Sequence, residues 1–369
     1  PRRRARLVVV TRTLTISLDQ LFRRQPGGIG TYVRGLVQGL AQLDDRSFEV
    51  LGLVPRGPVA HHATDLGVRS VRAPVNVDVL TRLWTRWPLG VPRQSDVVHA
   101  TSMAGPFAGG ASGAVHSVAL HDLMWRDEPG ATTRAGIRFH ERRLALIVAR
   151  ADLRVVVTSP GLRDRLVAEG IDAGRVHDVR LGVDDDVTVA ANVVDVRALL
   201  ARHGVLGPYT LYAGTLEPRK NIERLVEAHA VARRAEPGMG DLVLVGPPGW
   251  GGVSTGDAAV LGLIPRAILK GLYRDAAVFA YVPRAEGWGL PPVEALHAGA
   301  RVVASSTTPS VQSNAEVVRV DPLDTSSIAD GLVGAMALGD DAAAAARRRH
   351  SVADLTWRNV ALDHLAAWA

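Results

Sequence analysis

Residues 286–294 read Glu-Gly-Trp-Gly-Leu-Pro-Pro-Val-Glu, two carboxylates eight positions apart around a turn of small residues. Glu286 and Glu294 can each accept hydrogen bonds from hydroxyl groups. Between them Gly287 and Gly289 expose backbone N–H groups that can point at an anion. The start of the helix expected over Val293 to Ala298, with Gly299 as its stop, adds positive potential there. A second constellation stands about seventy residues upstream, where 209–221 read Tyr-Thr-Leu-Tyr-Ala-Gly-Thr-Leu-Glu-Pro-Arg-Lys-Asn. That is a strand, a turn at Gly214 and Thr215, and adjacent Arg219 and Lys220 ahead of a helical apolar pattern from Ile222 to Arg233. A guanidinium forks onto phosphate oxygens and an ammonium adds a point charge, so the pair can neutralise a diphosphate without a metal ion. Alone, an Arg-Lys pair reads as a solvated basic turn. Beside 286–294 it reads as half of a site for a sugar joined to a nucleoside diphosphate.

Such a site needs strand-end turns and helix starts held side by side, and the chain supplies them. Strand and helix patterns alternate as a doubly wound α/β sheet requires. Arg6 to Val10 and Phe48 to Val54 read as strands flanking a helix from about Gly30 to Leu43. Val97 to Ala100 and Val115 to Leu120 follow as buried strands, then a long helix over about Thr133 to Ala151. Leu153 to Thr158 is a strand, Ser159 an N-cap for a helix through Glu169, and Val176 to Leu181 closes a first domain over 1–183. Residues 184–208 read as a connection, and 209–350 as a second domain with further strands at Leu242 to Val245, Val278 to Val282 and Arg301 to Ala304.

Composition fits two domains. At 369 residues the chain is too long for one ordinary α/β unit, and 47% apolar with 22% charged residues is globular. It has no cysteine, which excludes a disulfide framework and thiolate metal sites. Arg2, Arg3, Arg4 and Arg6 precede an apolar run, Leu7 to Val10, that is too short for a signal peptide and reads as the first strand. No run approaches the ~18–20 apolar residues of a membrane span, so a cytoplasmic location is the expectation. Residues 1–180 carry 26 arginines against 16 carboxylates, and the remainder 17 basic against 21 acidic residues. A basic first half admits peripheral contact with an anionic membrane surface or a phosphorylated acceptor. The same excess of arginine also follows from a GC-rich genome. Nucleic-acid binding is not expected, because no reader motif or aromatic platform accompanies the charge.

Other motifs carry less. Gly27-Gly28-Ile29-Gly30 opens a helix after the first strand, where open α/β sheets bind ligands, but Thr31 and Tyr32 depart from the dinucleotide fingerprint. His121-Asp122 follows the apolar run Val118 to Leu120 and belongs at a strand end, with Asp122 either orienting the imidazole or capping the next segment. The loop 246–252, Gly-Pro-Pro-Gly-Trp-Gly-Gly, either admits a base beneath Trp250 or is a rigid surface loop. His61-His62 and His116 show no metal-ligand spacing.

The strings Gly-Thr-Leu-Glu-Pro-Arg-Lys-Asn (214–221) and Glu-Gly-Trp-Gly-Leu-Pro-Pro-Val-Glu-Ala (286–295) resemble the retaining glycosyltransferases of family 4, in their mannosyltransferase-like branch. Gly27 to Gly30, His121-Asp122-Leu123 and Thr356-Trp357 extend the resemblance over most of the chain. It implies the GT-B fold: two Rossmann-like domains facing a cleft, the first for acceptor and the second for nucleotide-sugar, with a last helix (351–369, Trp357 to Trp368) returning to the first domain. It further implies metal-independent transfer of a sugar to an acceptor hydroxyl with retained configuration, with no cofactor. By that resemblance Arg219 and Lys220 hold the leaving phosphate, Glu294 the ribose, and Glu286 with Gly287, Trp288, Gly289 and Leu290 the donor sugar. Gly28 and Gly30 lie in a loop closing over the donor phosphates, with Gly214 and Thr215 lining them, and His121 meets the transferred sugar.

Two departures stand out. The usual strand-end serine is missing before the first glutamate, where Pro283-Arg284-Ala285 stands, and Ser310-Val311-Gln312 replaces a proline-glutamate-valine signature. Asp184-Asp185-Asp186 resembles a metal-holding carboxylate pair but falls in the connection and reads as a solvated turn. GDP-mannose is the expected donor, with UDP- and dTDP-sugars open, and the acceptor is a glycan, a lipid-linked glycan or a small molecule. A sugar-nucleotide epimerase and a non-catalytic nucleotide-sugar-binding partner are the alternatives.

Overall fold

The computed structural model describes residues 11–43, 45, 47–58, 66–109, 113–183 and 193–369. Arg2 to Arg6, the strand expected at Arg6 to Val10, His61-His62 and Asp184 to Asp186 lie outside the described residues. The fold divides into two α/β units. One takes the chain as far as His121, residues 134–182 and residues 356–369, and the other takes residues 122–133 and 183–355.

The first unit is built on β1 (Arg12–Ser17), β2 (Phe48–Val54), β3 (Arg69–Arg72), β4 (Val97–Ala100), β5 (Val115–Leu120), β6 (Arg154–Val157) and β7 (Val176–Asp178). They form one parallel sheet in the order β3-β2-β1-β4-β5-β6-β7, so the chain reverses its direction of winding between β1 and β4. Its helices are α1 (Gly27–Ala41), α2 (Val77–Leu83), α4 (Arg134–Ala149), α5 (Pro160–Ala168) and α12 (Trp357–Trp368). The first described strand is central and carries hydroxyls as well as apolar residues. Leu14, Thr15, Ile16 and Ser17 are all buried, and the hydroxyls are satisfied laterally, Thr15 with Ser95 at 2.8 Å and Ser17 with Thr101 at 3.0 Å. Buried polar groups need such partners, and each supplies the other's.

The helix expected from Gly30 starts at Gly27, so the glycine string is its first turn and not a loop ahead of it. Further along α1, Gly35 and Gly39 form a notch for α12. A Cβ on Gly35 would fall 2.1 Å from the Trp357 ring, and one on Gly39 2.0 Å from the Trp357 carbonyl oxygen. The far end of α12 is capped by arginines, Arg12 donating to the Trp368 carbonyl (3.2 Å) and Arg154 to that of Ala367 (2.6 Å). Cationic donors at a helix C-terminus satisfy carbonyls that the helix cannot.

The second unit has β8 (Tyr209–Ala213), β9 (Asp241–Val245), β10 (Ala259–Gly262), β11 (Val278–Tyr281), β12 (Val302–Ser305) and β13 (Val317–Val320), parallel in the order β10-β9-β8-β11-β12-β13. Around them lie α3 (Met124–Asp127), α6 (Val193–Arg202), α7 (Ile222–Ala235), α8 (Arg266–Asp275), α9 (Leu290–Ala298), α10 (Thr325–Met336) and α11 (Ala342–His350). The chain runs outward from β8 to β10 and then crosses back to lay β11 against the other side of β8. Open α/β sheets open a crevice at the carboxyl ends of strands where the winding reverses. Among the described residues no helix is long and apolar enough to cross a membrane.

Candidate functional site

The two sequence constellations meet at that reversal. Arg219 and Lys220 lie in a 3₁₀ turn, Pro218–Lys220, beyond the end of β8, and Glu286 follows the neighbouring β11. Asn221 ends the turn with φ +63°, the one left-handed residue other than glycine among those described. Its side-chain amide holds it there, donating to the carbonyls of Val282 (3.0 Å) and Pro322 (2.7 Å). Asparagine tolerates this conformation better than most residues. The kink it makes ends the turn and starts α7, which leaves both cations on the loop at the strand ends.

Glu286 Oε2 gathers three donors. Lys220 Nζ donates to it, Tyr281 donates its hydroxyl at 2.6 Å, and Arg219 reaches it at 3.3 Å. Lys220 also donates to the Tyr281 oxygen at 2.6 Å. Arg219 is fixed from its other edge by Glu217, at 3.1 Å and 2.7 Å, and by the Ala285 carbonyl at 3.1 Å. Burial pushes the Glu286 carboxyl up, but the charges of Lys220 and Arg219 and the bonds from Lys220 and Tyr281 outweigh it and hold the group at about 2. Burial draws the Lys220 ammonium down against the pull of Glu286, while Glu286 and Glu217 outweigh burial at Arg219 and hold its guanidinium up. Two cations thus face two carboxylates, and the cluster is formally neutral.

The turn to α9 is set by its own backbone. Gly289 has φ +94°, and a Cβ there would fall 2.5 Å from Thr308 and 3.1 Å from Ser310. Ser310 pins the turn from its carbonyl side, its N–H donating to the Trp288 carbonyl (2.9 Å) and its hydroxyl to that of Gly289 (2.6 Å). The departure at Ser310 noted in the sequence therefore lies directly against the turn that leads into α9. The helix begins at Leu290, three residues earlier than expected, so Glu294 sits in its second turn and not its first. Pro291 and Pro292 carry no N–H, which leaves the amides of Gly289 and Leu290 as the donors of this helix start. Trp288 is buried, and its indole nitrogen has no hydrogen-bond partner among the described residues. Glu294 accepts from Tyr273 (3.0 Å) and Arg266 (3.3 Å) of α8. All three border a cavity of about 160 Å³ that also touches Lys270, His297 and Arg349.

Gly214 and Thr215 lie where β8 ends. Gly214 has φ +153°, and a Cβ on it would meet the Tyr212 hydroxyl at 2.7 Å. The loop 246–252 packs on this turn. Its glycines allow that approach, a Cβ on Gly246 falling 2.0 Å from the Gly214 carbonyl, while Trp250 stays 41% exposed. The first unit holds Gly28, exposed, Gly30, buried against Pro26, and His121 at the end of β5. His121 donates from Nε2 to the Thr101 carbonyl at 2.9 Å, and Asp122 caps the next segment by accepting from the Met124 amide at 3.0 Å.

Sequence reasoning missed Tyr281, Glu217, Tyr273 and Arg266. Tyr281 sits in an apolar strand pattern and reads as core. Its signal is the polar cluster it terminates, visible only once β11 lies beside β8.

The first part of the chain, residues 26–187, matches Glycosyltransferase Family 4, and residues 207–337 match Glycosyl transferases group 1. The chain is 27% identical over 264 residues to the O-antigen chain mannosyltransferase B of Escherichia coli, an alignment covering 68% of each. Its fold is similar to sucrose-phosphate synthase from Thermosynechococcus elongatus, with a TM-score of 0.70 at 20% identity over 96% of this chain and 98% of that one. Anabaena Alr3699/HepE, solved in complex with UDP and glucose, gives a TM-score of 0.70 at 15% identity over 96% and 98%. The matched regions contain both constellations, and the chain belongs to family 4 of the retaining glycosyltransferases, enzymes of GT-B fold that take a sugar from a nucleotide-sugar donor.

Proposed function

We propose that the chain transfers mannose from GDP-mannose to an acceptor hydroxyl with retained anomeric configuration. The observation that carries this reading is the convergence of Arg219, Lys220 and Glu286 where the winding of the second unit reverses. The likeness to a mannosyltransferase supports the choice of sugar. Arg219 and Lys220 exchange Glu286 for the diphosphate, and their charge stabilises it as it departs. Donors aimed at such developing charge are typically worth ~10²–10³ in rate each. The freed Glu286, with the amides of Gly289 and Leu290, takes the sugar hydroxyls and faces the positive charge that develops on the sugar. Glu294 takes the ribose hydroxyls, and His121 of the first unit contributes to holding the transferred sugar. The acceptor is a glycan, a lipid-linked glycan or a small molecule, and the basic first half favours one that carries phosphate or lies at an anionic membrane.

Thermal stabilisation by GDP, UDP, dTDP and ADP, each with EDTA present, tests the donor. A ligand held only by the native state adds about 2.7 kcal/mol at a hundred times its dissociation constant. GDP should shift the melting alone, and GDP-mannose should then release GDP on incubation. A shift with UDP or dTDP instead would overturn the choice of mannose, and a shift with none would remove the donor reading.

A further inference from the structure

Apart from the cluster around Glu286, the first unit holds a second group of buried polar side chains, drawn from α1, β4, β5 and α12. Tyr32, His99, Ser117, His364 and Trp368 are each no more than 1% exposed. The Tyr32 hydroxyl lies 2.7 Å from His99 Nε2 and 2.8 Å from His364 Nε2. His99 Nδ1 meets the Ser117 hydroxyl at 2.7 Å, and the Trp368 indole donates to the same hydroxyl at 2.8 Å.

The acceptors fix every hydrogen in this chain. His364 Nδ1 faces the Val360 carbonyl at 2.8 Å and must donate, so its Nε2 carries the lone pair and accepts from Tyr32. Tyr32 has then spent its one hydrogen, and its oxygen accepts from His99 Nε2. His99 Nδ1 consequently accepts from Ser117, whose oxygen accepts from Trp368. One direction runs from the end of α12 through β5, β4 and α1 back to the middle of α12, with both imidazoles neutral. With both rings neutral, reversing a link to an imidazole leaves a buried acceptor facing an acceptor, and reversing the Trp368 link sets a donor against a donor; either costs more than a missing bond.

Tyr32 also touches the site. Its ring meets that of His121 edge to face, centroids 4.9 Å apart at 72°. His121 also donates to the Thr101 carbonyl, and Thr101 is itself bound to Ser17 of β1. We propose that Tyr32 is a positioning residue for His121, its doubly bonded hydroxyl fixing the ring against which the imidazole rests. This makes α12, which supplies His364 and Trp368, a determinant of the transfer step. The inference rests on the reading that His121 holds the transferred sugar.

The test is Tyr32→Phe, which keeps the ring and removes the hydroxyl, made alone and combined with His121→Ala. Turnover is followed below the melting temperature as release of GDP from GDP-mannose. Misplacing a group by a fraction of an ångström to 1 Å costs up to ~10²-fold, so Tyr32→Phe should lower kcat about tenfold with little change in KM for the donor. In the His121→Ala background it should lower kcat no further, because it acts through that imidazole. The His121 Nε2–H resonance should broaden or shift in Tyr32→Phe, a readout that stability alone does not move. Wild-type kcat in Tyr32→Phe with an inactive His121→Ala would overturn the positioning role. So would losses that multiply in the double variant. Full activity in His121→Ala would instead remove the reading of His121 itself.

Discussion

Replacing Glu286 with Gln keeps the shape of the side chain and removes its charge. The carboxyl is held at about 2 against an ordinary value of 4.5, and its side chain is only 15% exposed. At about 1.4 kcal/mol per pKa unit, native contacts with the ionised form carry about 3 kcal/mol of folding stability at neutral pH. The folded value is the depressed one, so this contribution is fully present above about pH 4.5 and disappears as pH falls toward 2. The variant should therefore lose about 3 kcal/mol at pH 7 and at pH 5, and less than half of that near pH 3. Calorimetry with the two units resolved is the assay, and only the transition of the unit carrying Glu286 should move. Removing Glu286 also leaves Lys220 and Arg219 with one carboxylate, Glu217, in place of two. GDP should then bind the variant at least as tightly as the wild type, while transfer falls by ~10²-fold or more. A loss of stability below about 1 kcal/mol, or weaker GDP binding with transfer intact, would refute the exchange of cations between Glu286 and the diphosphate.

Other perturbations follow from the first unit. Gly39→Ala puts a Cβ 2.0 Å from the Trp357 carbonyl oxygen, which only backbone movement relieves. It should destabilise that unit by about 2 kcal/mol or more, read as a lower melting temperature, and unchanged melting would mean that α12 does not seat in the notch. Burial draws His364 down to about 4, aided by the neighbouring His121 and opposed by its bond to Val360, and burial draws His99 down as well. Both are neutral in the fold and take protons on unfolding below about 6.5. Stability should therefore be complete above pH 6.5 and fall as pH drops toward 4, by about 3 kcal/mol for His364 alone. Melting curves across this window check it, and His364→Gln should flatten the decline.

The central strands and their helices were legible because burial on both faces demands continuous apolar runs. Val97 to Ala100, Val115 to Leu120 and Phe48 to Val54 fall where the pattern puts them, as does Trp357 to Trp368. The edge strands β3, β10 and β13 were not legible: they are four residues each and partly exposed, so the sheet asks little of their sequence. Arg12–Ser17 does not read as a strand beside the more apolar run before it, because Thr15 and Ser17 conceal a buried strand whose hydroxyls are matched by Ser95 and Thr101. Arg219, Lys220, Glu286 and Glu294 could be read as a set because the first three lie in the turns between strand and helix, where charged residues have little structural reason to gather, and Glu294 stands eight positions after Glu286. Their mutual pairing was not readable. It depends on β11 crossing back beside β8, a contact between residues more than sixty positions apart.

The notch on α1 also fixes an order of assembly. Its occupant, α12, is encoded after all of residues 183–355, the greater part of the second unit. At ~5–20 residues per second, a ribosome takes roughly 10–35 s to pass from Gly182 to Thr356. Through that interval the second unit can close around its sheet, while the first waits with Gly35, Gly39 and the Tyr32 hydroxyl facing an unfilled groove. The unit made first is therefore the unit finished last, and a nascent chain stalled before Trp357 should be recognised by chaperones through its N-terminal half.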